Sequence, residues 1–104
     1  MFARVVKYPG QPNKLQDAIR EWEKYSTLVD SMKGLQNVYA LTDKKTGSFT
    51  IISFWDTEED LNASAEAIMP IREALSRVFG LSSLPTPETY EVSSERGRRM
   101  RKAA

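Results

Sequence analysis

The order in which two apolar periodicities alternate along this chain constrains its fold more than any other feature. Apolar residues recur every three or four positions from Leu15 to Met32 and from Leu61 to Phe79, which favours two amphipathic helices. Segments rich in β-branched and aromatic residues favour strands at residues 2–8, 35–42, 48–55 and 89–93. The order β-α-β-β-α-β, with right-handed crossovers, predicts a ferredoxin-like α+β fold in which both helices cover one face of a four-stranded antiparallel sheet.

Local signals predict where the helices begin and end. Asn13 begins a capping-box pattern, so the first helix is expected to start there and to run unbroken to a C-terminal cap at Gly34. Asp56 or Thr57 is expected to cap the second helix. Pro70 lies inside the second helical pattern and should kink or split that helix, because proline lacks the N–H of the preceding turn's hydrogen bond.

The charge distribution separates a body from a tail. Residues 1–94 hold 10 Lys/Arg and 13 Asp/Glu, which gives −3, whereas residues 95–104 hold five basic residues and one acid, which gives +4. We expect one domain over residues 1–93 and a basic, disordered tail over residues 94–104. Nucleic-acid or membrane contact is an alternative role for the tail, but an acidic body without a groove-reading element favours a solvated terminus.

Large apolar side chains fall on both faces of the predicted sheet. In the third strand Phe49, Ile51 and Trp55 share one face, while Ile52 and Phe54 share the other. A monomer should present a polar face to water, and exposing these two side chains would forgo about 1.5–3 kcal/mol each. We therefore expect two copies to pair through the sheet as a homodimer. The alternatives are a monomer with an exposed apolar sheet and a monomer with a loop folded over it.

The chain contains neither cysteine nor histidine. Disulfides, thiolate nucleophiles, histidine relays and metal sites ligated by histidine or thiolate are therefore excluded. We predict no metal and no cofactor. No apolar run approaches the roughly 20 residues that a membrane span needs, and the N-terminus lacks the pattern of a signal peptide, so a cytoplasmic protein without membrane contact is expected.

The segment TDKKTGSFTIISFWDTEEDL, residues 42–61, combines an acidic-glycine turn, an apolar strand that ends in tryptophan, and a Thr-Glu-Glu helix start. In this segment, and in element order over residues 1–93, the chain resembles the antibiotic-biosynthesis-monooxygenase-like proteins of the dimeric α+β barrel superfamily. The resemblance implies a ligand pocket between sheet and helices in each subunit, and activities that include cofactor-free oxidation of phenolic polyketides. The family also includes a haem-degrading branch, whose members use a histidine on the second helix and an asparagine on the first strand. This chain has no histidine and has Arg4-Val5-Val6-Lys7 on that strand, so haem degradation is disfavoured.

Five residues are candidates for a substrate pocket. Trp55 matches the tryptophan that lines the pocket in the family enzymes; otherwise it is a core residue that closes the end of a strand. Asn37 and Tyr39 share a strand face and could orient a ligand, or else satisfy backbone groups or line an interface. Arg4 could stabilise a phenolate. Trp22 lies on the apolar stripe of the first helix, where a core role is the alternative.

Three functions are compatible with this inventory, and the third, after the two described next, is a purely structural partner. The first is a cofactor-independent monooxygenase for an electron-rich aromatic such as a phenol or hydroquinone, which the protein would orient and shield from water. The second is a non-catalytic dimer of the same fold that binds a small molecule or acts as an accessory or stress protein. The acids of residues 56–60 are explained by a helix start and do not indicate a carboxylate pair for catalysis.

Overall fold

A computed structural model describes residues 1–97 and confirms the predicted ferredoxin-like α+β fold. One antiparallel sheet has the strand order β2-β3-β1-β4, and the helices lie on one side of it. The opposite side, which no helix of the described residues covers, is called the open face below. The strands are β1 (Phe2–Tyr8), β2 (Leu35–Thr42), β3 (Phe49–Trp55) and β4 (Glu88–Glu91); the helices are α1 (Leu15–Glu23), α2 (Ser26–Asp30), α3 (Glu58–Ala63) and α4 (Met69–Val78).

The first helical region differs from the prediction of one unbroken helix. Pro12 opens a 3-10 turn over Pro12–Lys14, so Asn13 lies inside that turn and is not the N-cap. A proline at the first position of a helical turn needs no backbone N–H. Between α1 and α2 the chain tightens, because the N–H of Tyr25 donates to Trp22 O at 3.1 Å. This one tightened turn divides the predicted helix into α1 and α2.

The second helical region divides as the sequence predicts. Helix α3 ends at Ala63 and α4 begins at Met69, with Pro70 in the first turn of α4. Of the two predicted caps, Thr57 is the one used, since its side chain accepts a hydrogen bond from the Asp60 N–H at 3.0 Å.

Asp43 and Gly47 shape the turn of the hairpin between β2 and β3. The Asp43 carboxylate accepts hydrogen bonds from the N–H groups of Lys45 and Thr46, which lower the pKa of Asp43. Gly47 has φ +81° and is buried against the loop that follows β1. A left-handed backbone at this position explains why the turn contains glycine.

Strand β2 contains a bulge that the sequence pattern did not reveal. Leu35 pairs with Trp55, but Asn37 pairs with Phe54, so Gln36 is an extra residue without a partner in β3. Because side chains alternate, the extra residue shifts every later β2 position to the opposite face. Leu35 and Val38 therefore pack against the core under the helices, and Asn37 and Tyr39 lie on the open face.

The core lies between the sheet and the helices. Its largest fully buried side chains are Trp55, Tyr8, Phe49 and Leu75. At one end Tyr8, Phe49 and Phe79 form an aromatic cluster with ring centroids 6.0–6.4 Å apart. The packing of these rings is worth about 0.5–1.5 kcal/mol per pair beyond their area burial.

The last strand ends at Glu91, two residues before the predicted end. Residues 98–104, which hold most of the predicted basic tail, lie outside the described residues. Within residues 1–97, no helix is long and apolar enough to cross a membrane.

Candidate functional site

A cavity of about 40 Å³ lies between the helix-covered face of the sheet and the helices. Its wall is mainly aliphatic, with three aromatic side chains, Tyr8, Trp22 and Trp55, and three polar ones, Arg4, Ser53 and Arg72. Strands β1 and β3 supply the floor, because their residues alternate and every second side chain points under the helices. The cavity is thus a small apolar chamber with a few converging polar groups, which is the composition, but not the size, of a ligand site.

Trp55 forms one wall of the cavity at the end of β3. Its side chain is 1% exposed. The indole N–H donates to Ser53 Oγ at 2.9 Å, two residues earlier on the same face of the strand. This hydrogen bond satisfies the one polar atom of the indole and fixes the plane of the ring.

Arg4 is buried beside Trp55, although arginine is rarely buried without a partner. It is 5% exposed, and its guanidinium lies 5.5 Å from the Trp55 ring centroid. Nη2 donates to Leu61 O at 2.6 Å and to Ser64 Oγ at 2.9 Å. Burial, and secondarily the charge of Arg72, lower the pKa of Arg4.

Arg72 brings a second positive charge to the same chamber from helix α4. Its Nη2 donates to Pro85 O at 2.7 Å and its Nη1 to Met69 Sδ at 3.2 Å. The Nε atom is buried and has no hydrogen-bond partner among the described residues. Sequence reasoning missed this residue, but a signal was present: Arg72 interrupts the apolar stripe formed by Ile68, Leu75 and Phe79.

Tyr8 is a further cavity residue, which was not among the five candidates from the sequence. Its side chain is almost fully buried. Burial raises the pKa of the Tyr8 phenol to about 12, an effect partly opposed by the positive charge of Arg72. The phenol therefore stays neutral at physiological pH, available as a hydrogen-bonding group and not as a base.

The structure brings together three of the five residues predicted as a pocket. Arg4, Trp22 and Trp55 line the cavity. Asn37 and Tyr39 lie on the open face, where Tyr39 contacts Phe54 edge-on with ring centroids 6.4 Å apart. Without the bulge at Gln36, Asn37 would pair with Ser53 and would face the cavity, so the bulge is the physical reason for the difference.

The cavity is smaller than a substrate ring. A cavity that accepts benzene measures about 150 Å³, against about 40 Å³ here. Ligand entry therefore requires side chains to move. Trp22 and Met32 are lining residues that are only half-buried, whereas Trp55 and Val6 are held in the core.

Among residues 1–97, no group of three or more His, Cys, Asp or Glu side chains is placed to hold a metal ion. The polar and aromatic groups that line the cavity are two arginines, a tyrosine, a serine and two tryptophans.

Comparison with known proteins gives one family match and several related folds. The family model for antibiotic biosynthesis monooxygenases matches residues 1–67. Two uncharacterised Mycobacterium tuberculosis proteins, MT2634 and Rv2557, are each 32% identical over 66 residues, which is 64% of this chain but only 29% of their own length.

Solved structures share the fold at low identity. NE2512 of Nitrosomonas europaea, a protein of unknown function, has a TM-score of 0.68 at 19% identity and covers 94% of both chains. The monooxygenase ActVA-Orf6 of Streptomyces coelicolor, solved with the ligand nanaomycin D, has a TM-score of 0.67 at 18% identity, covering 97% of this chain and 92% of its own.

Proposed function

This chain belongs to the antibiotic biosynthesis monooxygenase family, and on that premise we propose that it is a cofactor-independent monooxygenase for an electron-rich aromatic of the phenol or hydroquinone type. The family contains monooxygenases such as ActVA-Orf6 as well as members of unknown function. The observation that carries the proposal is the chamber between sheet and helices, where Trp55 and Trp22 can face an aromatic ring and Arg4 lies beside them.

The proposed chemistry uses the substrate as the source of electrons. A phenol-type ring, once deprotonated, reduces O₂ by one electron, and recombination forms a carbon–oxygen bond to the ring. Loss of water then leaves a quinone, so that phenol and O₂ together give quinone and water. The protein orients the ring and excludes bulk water, and positioning of this kind can supply several kcal/mol of the barrier.

The arginine beside the tryptophan has a defined part in this scheme. The guanidinium of Arg4, held by hydrogen bonds to Leu61 O and Ser64 Oγ, places a positive charge next to the substrate ring. This charge stabilises the phenolate relative to the phenol. Because the chamber is apolar, this interaction is stronger than it would be in water. Neither the reduction of O₂ by the phenolate nor the stabilisation of the phenolate by Arg4 requires histidine, cysteine or a metal. This accords with the composition of the chain, which lacks histidine and cysteine.

We also propose that a second copy of the chain covers the open face. Supporting this pairing, the open face carries apolar side chains that no helix of the described residues covers, among them Val5, Tyr39, Ile52, Phe54 and Tyr90. Asn37 and Tyr39 would then contact the partner subunit and not the substrate.

The test is oxygen consumption by the purified protein with a panel of hydroquinones and naphthols. We expect uptake of one O₂ per substrate, with one oxygen atom from ¹⁸O₂ in the product. Trp55→Phe should reduce turnover by about tenfold or more, because ring placement changes. Tyr90→Phe, which alters an exposed aromatic outside the cavity, should leave turnover unchanged. Full activity of Trp55→Phe would refute the role given to Trp55.

A second candidate is a non-catalytic small-molecule-binding protein. It is favoured by the cavity wall, which within the described residues contains no Asp, Glu, His or Cys to act as a general base. Retention of an aromatic ligand in native mass spectrometry, without oxygen uptake when that ligand is supplied, would select this alternative.

A further inference from the structure

The cavity contains two arginines and, among the described residues, no carboxylate in its wall. Buried charges in proteins are normally paired, because removing an ion from water costs several kcal/mol unless another charge or hydrogen bonds replace the solvent. Two like charges in one apolar chamber are less favourable still. This arrangement calls for a counter-charge that the described chain does not supply.

No carboxylate of the described residues forms a hydrogen bond or an ion pair with either arginine, and two of the acidic side chains on the neighbouring elements have other partners. Asp60 of α3 lies 3.9 Å from the Lys33 ammonium, and Glu88 of β4 lies 3.7 Å from the Lys7 ammonium. Neither forms a hydrogen bond with Arg4 or Arg72 within residues 1–97. The arginines are thus held by neutral acceptors: two backbone carbonyls, a serine hydroxyl and a thioether.

Donors remain available on both guanidinium groups. Arg4 makes both of its hydrogen bonds within the described residues through Nη2, so Nη1 and Nε remain free for a ligand. Arg72 uses both terminal nitrogens, and its Nε is buried without a partner. A buried N–H without a partner costs about 1–3 kcal/mol, and an anionic oxygen in the chamber would remove that cost.

We propose that the cavity selects ligands with an anionic oxygen, a carboxylate or a phenolate, held between Arg4 and Arg72 with the ligand's ring against Trp55 and Trp22. This inference rests on the proposed function only in assuming that the cavity binds a small molecule; it does not require turnover. The two arginines approach from different elements, β1 and α4, so an anion between them also links the sheet to the helix. The volume of about 40 Å³ accommodates the anionic group, and the ring enters as the half-buried Trp22 and Met32 move.

The experiment compares matched charged and neutral ligands by calorimetry and by quenching of tryptophan fluorescence. The pairs are 2-naphthoate with 2-naphthamide, and 4-nitrophenolate in mildly alkaline buffer with 4-nitroanisole. We expect the anion of at least one pair to bind at least about tenfold more tightly than its neutral counterpart, since hydrogen bonds to charged groups are the strong ones. Preference in the first pair alone identifies a carboxylate ligand, and preference in the second alone identifies a phenolate.

Variants localise the effect. Arg72→Met should lower the ratio of anion affinity to neutral-ligand affinity within a pair, and Arg72→Lys should restore part of that ratio. Arg20→Met, which removes an exposed arginine paired with Asp17 on α1, is the matched control and should bind as the wild type does.

The outcomes separate this inference from the proposed oxygenase activity. Equal affinity for charged and neutral ligands, or no measurable binding of either anion by folded wild-type protein, overturns the inference even if a neutral hydroquinone drives oxygen uptake. Selective anion binding without oxygen uptake supports the inference that the cavity selects anions and contradicts the proposed oxygenase activity. The wild-type comparison needs no variant, so a destabilising effect of Arg72→Met leaves the test intact.

Discussion

Replacing Gly47 with alanine should destabilise the fold far more than the same replacement at Gly80. Both glycines have left-handed backbones, with φ of +81° and +67°. Alanine therefore costs about 1–2 kcal/mol at either position, less about 0.4–1 kcal/mol regained because the unfolded chain becomes stiffer. The two positions differ in the space that surrounds them, and this difference should separate the stabilities of the two variants.

An added methyl group meets nothing within 4 Å at Gly80. At Gly47 it overlaps the backbone of Gln11 and Pro12, with Gln11 Cα 2.6 Å away. Backbone cannot rotate aside as a flexible side chain can, so the overlap adds the cost of overpacking, about 1–3 kcal/mol. We expect a loss of about 1 kcal/mol for Gly80→Ala and about 2–4 kcal/mol for Gly47→Ala.

Equilibrium urea unfolding, followed by tryptophan fluorescence, measures this difference. Protein concentration is held constant, because self-association would make the apparent stability depend on it. The urea dependence of the free energy of unfolding should be unchanged, and the melting temperature should fall by about 4–8 °C per kcal/mol. Free energies for the two variants within about 0.5 kcal/mol of each other would refute the reasoning from the close approach of the two loops.

Three further predictions concern a helix cap, a buried phenol and the open face. Thr57→Ala should lower the free energy of unfolding by about 1 kcal/mol, whereas Thr57→Ser should lower it by much less. Equal losses of stability in the alanine and serine variants, measured by thermal unfolding, would contradict the capping role. The pKa of Tyr8 is raised from 10.0 to about 12. The stability that the folded state gains from the neutral Tyr8 phenol is therefore complete below pH 10 and should be lost as pH rises toward 12. Absorbance titration should show one tyrosinate forming late, and Tyr8→Phe should remove that step. Phe54→Lys, on the open face, should shift self-association, measured by sedimentation, to a protein concentration about tenfold or more higher. Ala40→Lys, on the helix-covered face of the sheet, should cause no such shift. Wild-type protein that stays monomeric at all concentrations would contradict the pairing.

The fold was predictable from the sequence because its elements are locally consistent. Strand and helix periodicities, the cap at Thr57 and the division of the second helix at Pro70 all follow from short-range chemistry, and each is confirmed. The interruption after Glu23 was not foreseen because the apolar stripe continues across it, from Trp22 through Tyr25 to Val29. A periodic pattern reports which side chains are buried, and it is insensitive to one tightened turn.

The candidate site was predictable only in part. Aromatic and basic residues on β1, β3 and the first helix could be assigned to a pocket, and Arg4, Trp22 and Trp55 do line one cavity. Asn37 and Tyr39 could not be placed, because their face depends on a bulge that arises from pairing with β3. Arg72 is the informative omission: a charged residue on an apolar stripe is a local conflict, and such conflicts are expected at functional sites.

The bulge at Gln36 also governs how relatives of this chain should be aligned. In β1 and β3 a simple alternation tells whether a position belongs to the cavity or to the open face, and in β2 the alternation is offset by the extra residue. An alignment that inserts or omits one position between residues 35 and 37 reassigns all later positions of β2 from one face to the other. Substitution patterns along this strand are therefore interpretable only after each homologue's pairing with β3 has been established.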